Sequence, residues 1–238
     1  MNGDEVSQGH LPECPGEPGN FSTASVSNLR AMKPFVLATV AFVATAVAGC
    51  SSPRADEKMS FFVTSSQAAD GGAIGGLAGA DAHCQKLAEA VGSGKGSWRA
   101  YLSAAAESGR PPVNARDRIG RGPWFNAKGV QVAADIDDLH RSNALGDKTS
   151  LDELGESPGY WHDMMTGSNP DGTLASGDVT CGNWTTTRGH ALVGHSDKGG
   201  RYGGERATSW NSAHKSGCTI TALQSMGGKG RFYCFAAE

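Results

Sequence analysis

Two short stretches of the chain combine histidine, aspartate and serine, the residue types of a hydrolytic triad. Residues 162–163 read His-Asp with Ser168 close behind, and residues 195–197 read His-Ser-Asp. Such a triad needs its nucleophile on a strained turn, with a base and an oxyanion hole beside it. Neither stretch has that turn motif, and His190 and His195 are spaced to fall on opposite faces of a strand. We therefore expect a protein that is not an enzyme.

The densest group of basic residues lies in a predicted loop spanning residues 105–122. Its members are Arg110, Arg116, Arg118 and Arg121. The planar guanidinium group binds sulfate and carboxylate through paired hydrogen bonds, so these arginines are candidates for binding a polyanion. Asp117 lies within the group, and the alternative is that the charges pair internally on a solvated surface.

Three tryptophans follow in stretches rich in Gly, Asn and Ser, where loops are expected. The candidate ligand-binding residues there are Trp161, Asn169, Asp171, Trp184, Trp210 and Asn211. A tryptophan in a loop stacks on a sugar ring or anchors a protein contact. The alternative for each tryptophan is burial between loops, and residues 169–172 (NPDG) also predict a turn whose aspartate bonds to the backbone.

Four of the six cysteines follow the first 50 residues, and they are Cys84, Cys181, Cys218 and Cys234. An even number in an exported chain predicts two disulfides, and four cysteines allow three pairings. A bond from Cys84 to Cys234 would close nearly the whole domain, whereas one from Cys181 to Cys218 would fasten the middle loops. The alternative is a metal cluster. No pair shows the CxxC or HxxxH spacing that such a cluster uses, so no metal ion or other cofactor is expected.

An apolar run, residues 34–49 (PFVLATVAFVATAVAG), follows Lys33 and has the pattern of an export signal. It ends in Val-Ala-Gly-Cys, which resembles the bacterial lipobox, in which the cysteine is lipidated and begins the mature protein. We predict a lipoprotein signal peptide at residues 32–49, lipidation of Cys50, and a lipid anchor and tether at residues 50–59. The alternative is a transmembrane anchor, but the run is shorter than the roughly 20 residues that a spanning helix needs.

Residues 1–31 contain acidic residues, Pro and Gly, unlike the basic start of an export signal. We interpret them as an upstream extension that is not part of the native product, with translation starting at Met32. The alternative is a genuine extension of the protein, which would carry Cys14 as an unpaired thiol.

The composition limits the kinds of function that the chain can have. Its 238 residues carry 21 Lys and Arg against 24 Asp and Glu, a net charge of −3, which argues against nucleic acid as a partner. A hydrophobic content of 38% argues against a protein with many membrane spans. The 34 glycines, about twice the average usage, favour loops and turns. We expect one loop-rich domain over residues 60–238.

Short patterned stretches predict the elements that position these side chains. Apolar residues at helical spacing predict a helix over residues 77–91, with Asp81 in its first turn and Cys84 on its buried face. The other elements expected are strands at residues 60–65, 98–102 and 231–235, a hairpin around residues 124–132, and a short helix at residues 135–140. From residue 143 to the last strand we expect long loops.

Several of these stretches, in this order, resemble the endostatin-like branch of the C-type lectin fold, above all the bacterial endostatin-like lipoproteins. The resemblance covers about residues 60–237. The stretches are residues 75–84, 98–103, 161–162, 167–172, 181–184, 209–214, 217–218 and 231–235. It implies an α+β fold with one or two helices, a mixed β-sheet, long loops and two nested disulfides, Cys84–Cys234 and Cys181–Cys218.

The resemblance does not extend to the metal sites of these proteins. Calcium-dependent lectins of this fold carry Glu-Pro-Asn or Gln-Pro-Asp and Trp-Asn-Asp, whereas residues 169–171 read Asn-Pro-Asp and residues 210–212 read Trp-Asn-Ser. Serine thus replaces a carboxylate, and Ca²⁺ prefers carboxylate ligands. The zinc site of vertebrate endostatin uses N-terminal histidines, and no histidine lies between Cys50 and Phe61. Neither metal is therefore expected at those positions.

The resemblance implies a lipid-anchored binding protein of a bacterial cell envelope, at the outer membrane or cell surface. Its expected ligand is an extracellular protein, such as laminin or fibronectin, or a polyanion, bound through the long loops. One alternative is a lectin that binds glycans without calcium through the tryptophans. The other is a structural envelope lipoprotein whose partner is the cell wall or another envelope protein.

Overall fold

This computed structural model describes residues 55–93, 96–199 and 207–237. Its strands are β1 (Phe61–Val63), β2 (Trp98–Ala100), β3 (Trp124–Phe125), β4 (Gln131–Ala133), β5 (Asp163–Met165), β6 (His190–His195), β7 (His214–Gly217), β8 (Gly228–Arg231) and β9 (Tyr233–Ala236). Its helices are α1 (Gly76–Ala90), α2 (Ile136–Arg141), α3 (Cys181–Trp184) and α4 (Ile220–Met226). The upstream extension, the signal peptide and Cys50 lie outside the described residues.

Strand β9 is the centre of a three-stranded antiparallel sheet in the order β1-β9-β2. Phe235 of β9 pairs with Phe61 of β1 on one side and with Arg99 of β2 on the other. The predicted strands at both ends of the domain are therefore confirmed. Because successive side chains point to opposite faces, Phe61 and Phe235 enter one buried cluster, while Phe62 and Cys234 enter another beneath α1.

The predicted helix over residues 77–91 is confirmed as α1, which buries Ala80, Cys84 and Ala88 against the sheet. The placement of Asp81 in the first turn is wrong, because α1 begins at Gly76 and its first turn holds no acidic residue. Asp81 is buried, and its Oδ1 accepts a hydrogen bond of 2.9 Å from the Ala100 N–H. It therefore fastens α1 to β2.

The prediction of long loops after residue 143, interrupted only by short apolar or aromatic stretches, is wrong in part, because this region also forms a second sheet in the order β7-β6-β5-β8. Strand β6 runs antiparallel to both β5 and β7, and β8 runs parallel to β5. The edge strands β7 (HKSG) and β8 (GKGR) contain no apolar residue, so they lack the alternation by which strands are recognised. Backbone pairing with the inner strands holds them in place.

The hairpin and the short helix between the two sheets agree with the sequence analysis. Strands β3 and β4 pair, with Trp124 opposite Ala133. Helix α2 begins after Asp135, whose Oδ1 accepts a 2.9 Å hydrogen bond from the Asp138 N–H. Such a cap satisfies one of the free N–H groups at a helix start.

Both disulfide pairings are confirmed, with Cys84 bonded to Cys234 and Cys181 bonded to Cys218. The first joins α1 to β9, and the second joins α3 to the residue after β7. All four residues of α3 have φ between 50° and 65°, so this short helix is left-handed. That conformation is costly for residues with a Cβ atom. This conformational cost is offset by the disulfide and by the side chain of Asn183, which accepts a hydrogen bond from the Ala105 N–H and donates one to the Ala105 carbonyl.

The α+β class is confirmed, with four helices among the described residues instead of the one or two expected. Part of the predicted tether packs onto the domain, since the Ala55 N–H donates to Val91 O and Met59 is fully buried. In the described ranges, no helix combines the length and the apolar character needed to cross a membrane.

Candidate functional site

The arginines of the predicted polyanion loop do not form one exposed surface. The side chain of Arg118 is only 14% exposed, and its Nη2 lies 2.7 Å from Asp81 Oδ2. Arg116 donates a 2.9 Å hydrogen bond to the carbonyl of residue 171. Arg121 is exposed and lines an open groove together with Lys58. Of the four arginines in the group, only Arg110 and Arg121 are exposed to an anionic ligand.

Three further candidates, Trp184, Trp210 and Asn211, are buried. The Trp184 Nε1–H donates to Ser103 O at 2.8 Å, and the Asn211 Nδ2–H donates to Tyr101 Oη at 2.9 Å. The Trp210 ring packs against Tyr101 and Tyr233, with centroids 4.7 Å and 5.1 Å away. The three side chains therefore make structural contacts inside the domain.

Asn169 and Asp171 form the turn that their sequence also predicted. The Gly172 N–H donates to Asn169 O at 2.9 Å, and Asp171 Oδ1 accepts from the Thr173 N–H at 3.0 Å and from its hydroxyl at 2.7 Å. These hydrogen bonds hold the pKa of Asp171 below its usual value despite some desolvation. The Asp171 carboxylate therefore stabilises the turn in which it lies.

Trp161 is the tryptophan that reaches the surface among the three candidates. Its ring packs edge-on against Tyr160, with centroids 5.0 Å apart, and Tyr160 is 63% exposed. Lys229 Nζ lies 5.5 Å from the centre of the Trp161 ring, within the range of a cation–π contact. We call Tyr160, Trp161 and Lys229 the aromatic platform.

The strand register of the second sheet brings one aspartate and two histidines to a single face. Asp163 of β5 lies directly opposite His195 of β6, and His214 of β7 lies opposite Val193, two residues along β6. Paired residues and those two positions apart share a face of a sheet, so the three side chains converge. His162, which lies between Trp161 and Asp163 in the chain, also faces Asp163.

Asp163 is at the centre of this group, and its side chain is 1% exposed. Its Oδ1 lies 3.5 Å from His162 Nε2 and 3.4 Å from His195 Nε2. Its Oδ2 lies 3.3 Å from His214 Nε2. Among the described residues, neither carboxylate oxygen accepts a hydrogen bond, which is costly for a buried charge. We call Asp163, His162, His195 and His214 the Asp163 cluster.

The far nitrogens of the three imidazoles are each held by an oxygen atom. His162 Nδ1 donates to Asp197 Oδ2 at 2.8 Å, and His195 Nδ1 donates to the carbonyl of Ala207. His214 Nδ1 donates to the carbonyl of residue 215 at 3.2 Å. The Nδ1 atoms therefore carry the protons, and the Nε2 atoms that face Asp163 have free lone pairs in the neutral rings.

The charges around the cluster shift two pKa values. Contact with the Asp163 carboxylate raises the pKa of His214, although burial opposes the shift. Burial alone would raise the pKa of Asp197, but hydrogen bonds from the Gly199 N–H and from His162 outweigh it and lower that pKa. Asp197 is therefore an ionised partner for His162 at neutral pH.

Two glycines lie beside the cluster at positions where a side chain would have little or no space. A side chain at Gly194 would collide with the backbone of Trp210, which crosses β6 there. Gly227 ends α4 with a φ of 103°, and a Cβ atom at this position would lie 3.3 Å from His162 Nε2. Its missing side chain leaves the Nε2 edge of that ring accessible.

The Asp163 cluster is the candidate functional site because three imidazole nitrogens face a buried carboxylate that accepts no hydrogen bond from the residues that the structure describes. Sequence analysis found His162, Asp163, His195 and Asp197, but considered them only as parts of two separate hydrolase motifs, of which the first included Ser168, and rejected both motifs. Ser168 lies elsewhere, with its hydroxyl 2.9 Å from that of Ser103. Spacing rules for metal ligands missed the cluster, because its histidines are far apart in the chain: His162 directly precedes β5, His195 ends β6 and His214 begins β7.

The comparisons with known proteins add no family to this description. No protein-family model matches the chain, and no curated protein is significantly similar to it.

Proposed function

We propose that the protein is a lipid-anchored binding domain of a bacterial cell envelope, displayed at the outer membrane or cell surface, and that it recognises an extracellular protein. The main observation behind this proposal is the aromatic platform, in which Tyr160 is 63% exposed and packs against Trp161. Binding energy at protein interfaces concentrates in Trp, Tyr and Arg side chains. An exposed aromatic pair is therefore suited to anchoring such a contact.

The same geometry favours a protein ligand over a glycan. A sugar ring stacks on the flat face of an aromatic side chain, but Lys229 Nζ already lies over a face of Trp161. Tyr160 is nearly perpendicular to Trp161, at 82°, so the pair offers no extended flat surface. The ammonium group of Lys229 would instead pair with a carboxylate of the ligand.

We also propose that the fold is the endostatin-like form of the C-type lectin fold. The order of the sequence landmarks and the nesting of Cys181–Cys218 within Cys84–Cys234 support this proposal. The lipid anchor is supported by the Val-Ala-Gly-Cys sequence that ends at Cys50. Envelope anchoring and ligand binding are separate parts of the proposal and have separate tests.

Replacing Cys50 tests the anchor. In bacteria fed a labelled fatty acid, we expect the protein to take up the label and the Cys50→Ala variant to lose it, because the Cys50 thiol is the acceptor. Ser51→Ala, at the residue next to Cys50, is the control and keeps the label. Label retained in Cys50→Ala would contradict the lipid anchor.

Replacing the platform tests the binding surface. On immobilised laminin and fibronectin, we expect Tyr160→Ala to weaken binding at least about 30-fold, as for an interface residue worth about 2 kcal/mol. Trp161→Ala should do the same. Val130→Ala is the control, since Val130 is 47% exposed on the β3–β4 hairpin and is not a member of the platform. Equal binding by Tyr160→Ala and the unaltered protein would refute this surface.

A further inference from the structure

We propose that His162, His195 and Asp163 bind a divalent transition-metal ion of the Zn²⁺ class, through the two Nε2 atoms and Oδ1. Imidazole nitrogen and carboxylate oxygen are ligands that Zn²⁺ takes in proteins, and three protein ligands leave its fourth position to water or another donor. This inference is independent of the proposed protein ligand.

The distances fit a tetrahedral ion. With bonds of about 2.0–2.1 Å, adjacent ligand atoms of tetrahedral zinc lie about 3.3 Å apart. Asp163 Oδ1 lies 3.5 Å from His162 Nε2 and 3.4 Å from His195 Nε2. The three ligand atoms all lie within 4.8 Å of one another.

The orientation of the rings also fits. Histidines that bind metal ions generally donate their second ring N–H to a carboxylate or a carbonyl group. His162 does so to Asp197 Oδ2 at 2.8 Å, and His195 does so to the carbonyl of Ala207. Both lone pairs are thereby fixed toward Asp163 before any ion binds.

Protonation of the two imidazoles would be a poor substitute for a metal ion as the partner of Asp163. Both rings would have to be charged for each to donate to Asp163, yet His162 and His195 are stacked in parallel, with centroids 4.8 Å apart. Two cations at that distance in a largely buried position repel each other strongly. One divalent ion contacts both lone pairs and the carboxylate at once, and it neutralises the buried charge.

His214 has a different role in this assignment. Its Nε2 faces Asp163 Oδ2, at 3.3 Å, and not the oxygen shared by the other two rings. It is therefore a positioning residue, which contacts the carboxylate oxygen that the ion does not use. Asp197 has the corresponding role for His162.

Calorimetric titration of the EDTA-treated, purified full-length protein with Zn²⁺ tests the site. We expect one ion per chain with micromolar or tighter affinity, and no comparable binding of Ca²⁺, which prefers sites built of several oxygen ligands. His162→Gln, His195→Gln and Asp163→Asn should each weaken Zn²⁺ binding at least about 100-fold. Asp197→Asn and His214→Gln should keep one ion per chain but weaken it about 10–100-fold, as expected for outer partners of metal ligands.

His190→Gln is the matched control, because His190 is exposed at the other end of the same strand β6. It should bind Zn²⁺ like the unaltered protein. Melting temperatures in EDTA show whether each variant is folded. Asp197→Asn, at a partly exposed position, keeps the test valid if a cluster variant does not fold. Absence of Zn²⁺ binding by the unaltered protein, or unchanged affinity in folded cluster variants and Asp197→Asn, would overturn the site.

Discussion

Replacing both Cys84 and Cys234 by Ala is expected to destabilise the domain by about 5 kcal/mol. The bond joins residues 150 positions apart, so it removes a very large loop from the unfolded chain. A typical domain has only about 5–15 kcal/mol of net stability. The variant should therefore be largely unfolded, or close to it, at physiological temperature.

Guanidinium unfolding of the oxidised protein and of the two double variants measures this effect. The Cys181→Ala and Cys218→Ala pair is the comparison, because its bond spans 37 positions and should contribute about 4 kcal/mol. We expect the larger loss for the Cys84–Cys234 pair, because both pairs lie in the same buried cluster and the loop that this bond closes is the longer one. A smaller loss for that pair than for Cys181–Cys218 would contradict this ranking.

Asp81→Ala is expected to destabilise the domain by about 3–5 kcal/mol, the usual result of breaking a buried ion pair by removing one partner. Asp81 Oδ2 lies 2.9 Å from Arg99 Nη1 and 2.7 Å from Arg118 Nη2, and Oδ1 accepts from Ala100. Removal leaves the Arg118 guanidinium, 14% exposed, without its counter-ion. Burial lowers the pKa of Arg118, and the negative charge of Asp81 partly offsets this shift.

Asp137→Ala is the matched control for this prediction. Asp137 is also paired with an arginine, Arg116, but the atoms are 3.7 Å apart and the Asp137 side chain is 74% exposed. Exposed ion pairs contribute about 0–1 kcal/mol, so we expect a loss of that size in the same unfolding assay. Equal losses for Asp81→Ala and Asp137→Ala would show that burial does not govern the Asp81 contacts.

The elements that sequence analysis predicted correctly have a strong local signal. Helix α1 has apolar residues at helical spacing, α2 begins at a capping aspartate, and β9 is an aromatic-rich strand. Strands β7 and β8 have no such signal, because they are held by backbone pairing to inner strands. Their positions depend on contacts between distant residues, which a local pattern does not contain.

The candidate site was predictable only in part for the same reason. His162 and Asp163 are neighbours in the chain, but His195 and His214 reach them through the register of β5, β6 and β7. The rule that metal ligands recur at short spacing applies to sites on one helix or loop, so it excluded this one. Tyr160 gave no signal before its exposure and its contact with Trp161 were known.

An array of extracellular matrix proteins and glycans, probed with the purified full-length protein, tests the central claim most directly. We predict signals on matrix-protein spots that disappear with Tyr160→Ala and persist with Val130→Ala. Signals on glycans alone would contradict a protein ligand and identify the domain as a lectin. Silence across the array, with the Cys50 anchor shown, would also contradict it and favour a structural envelope lipoprotein.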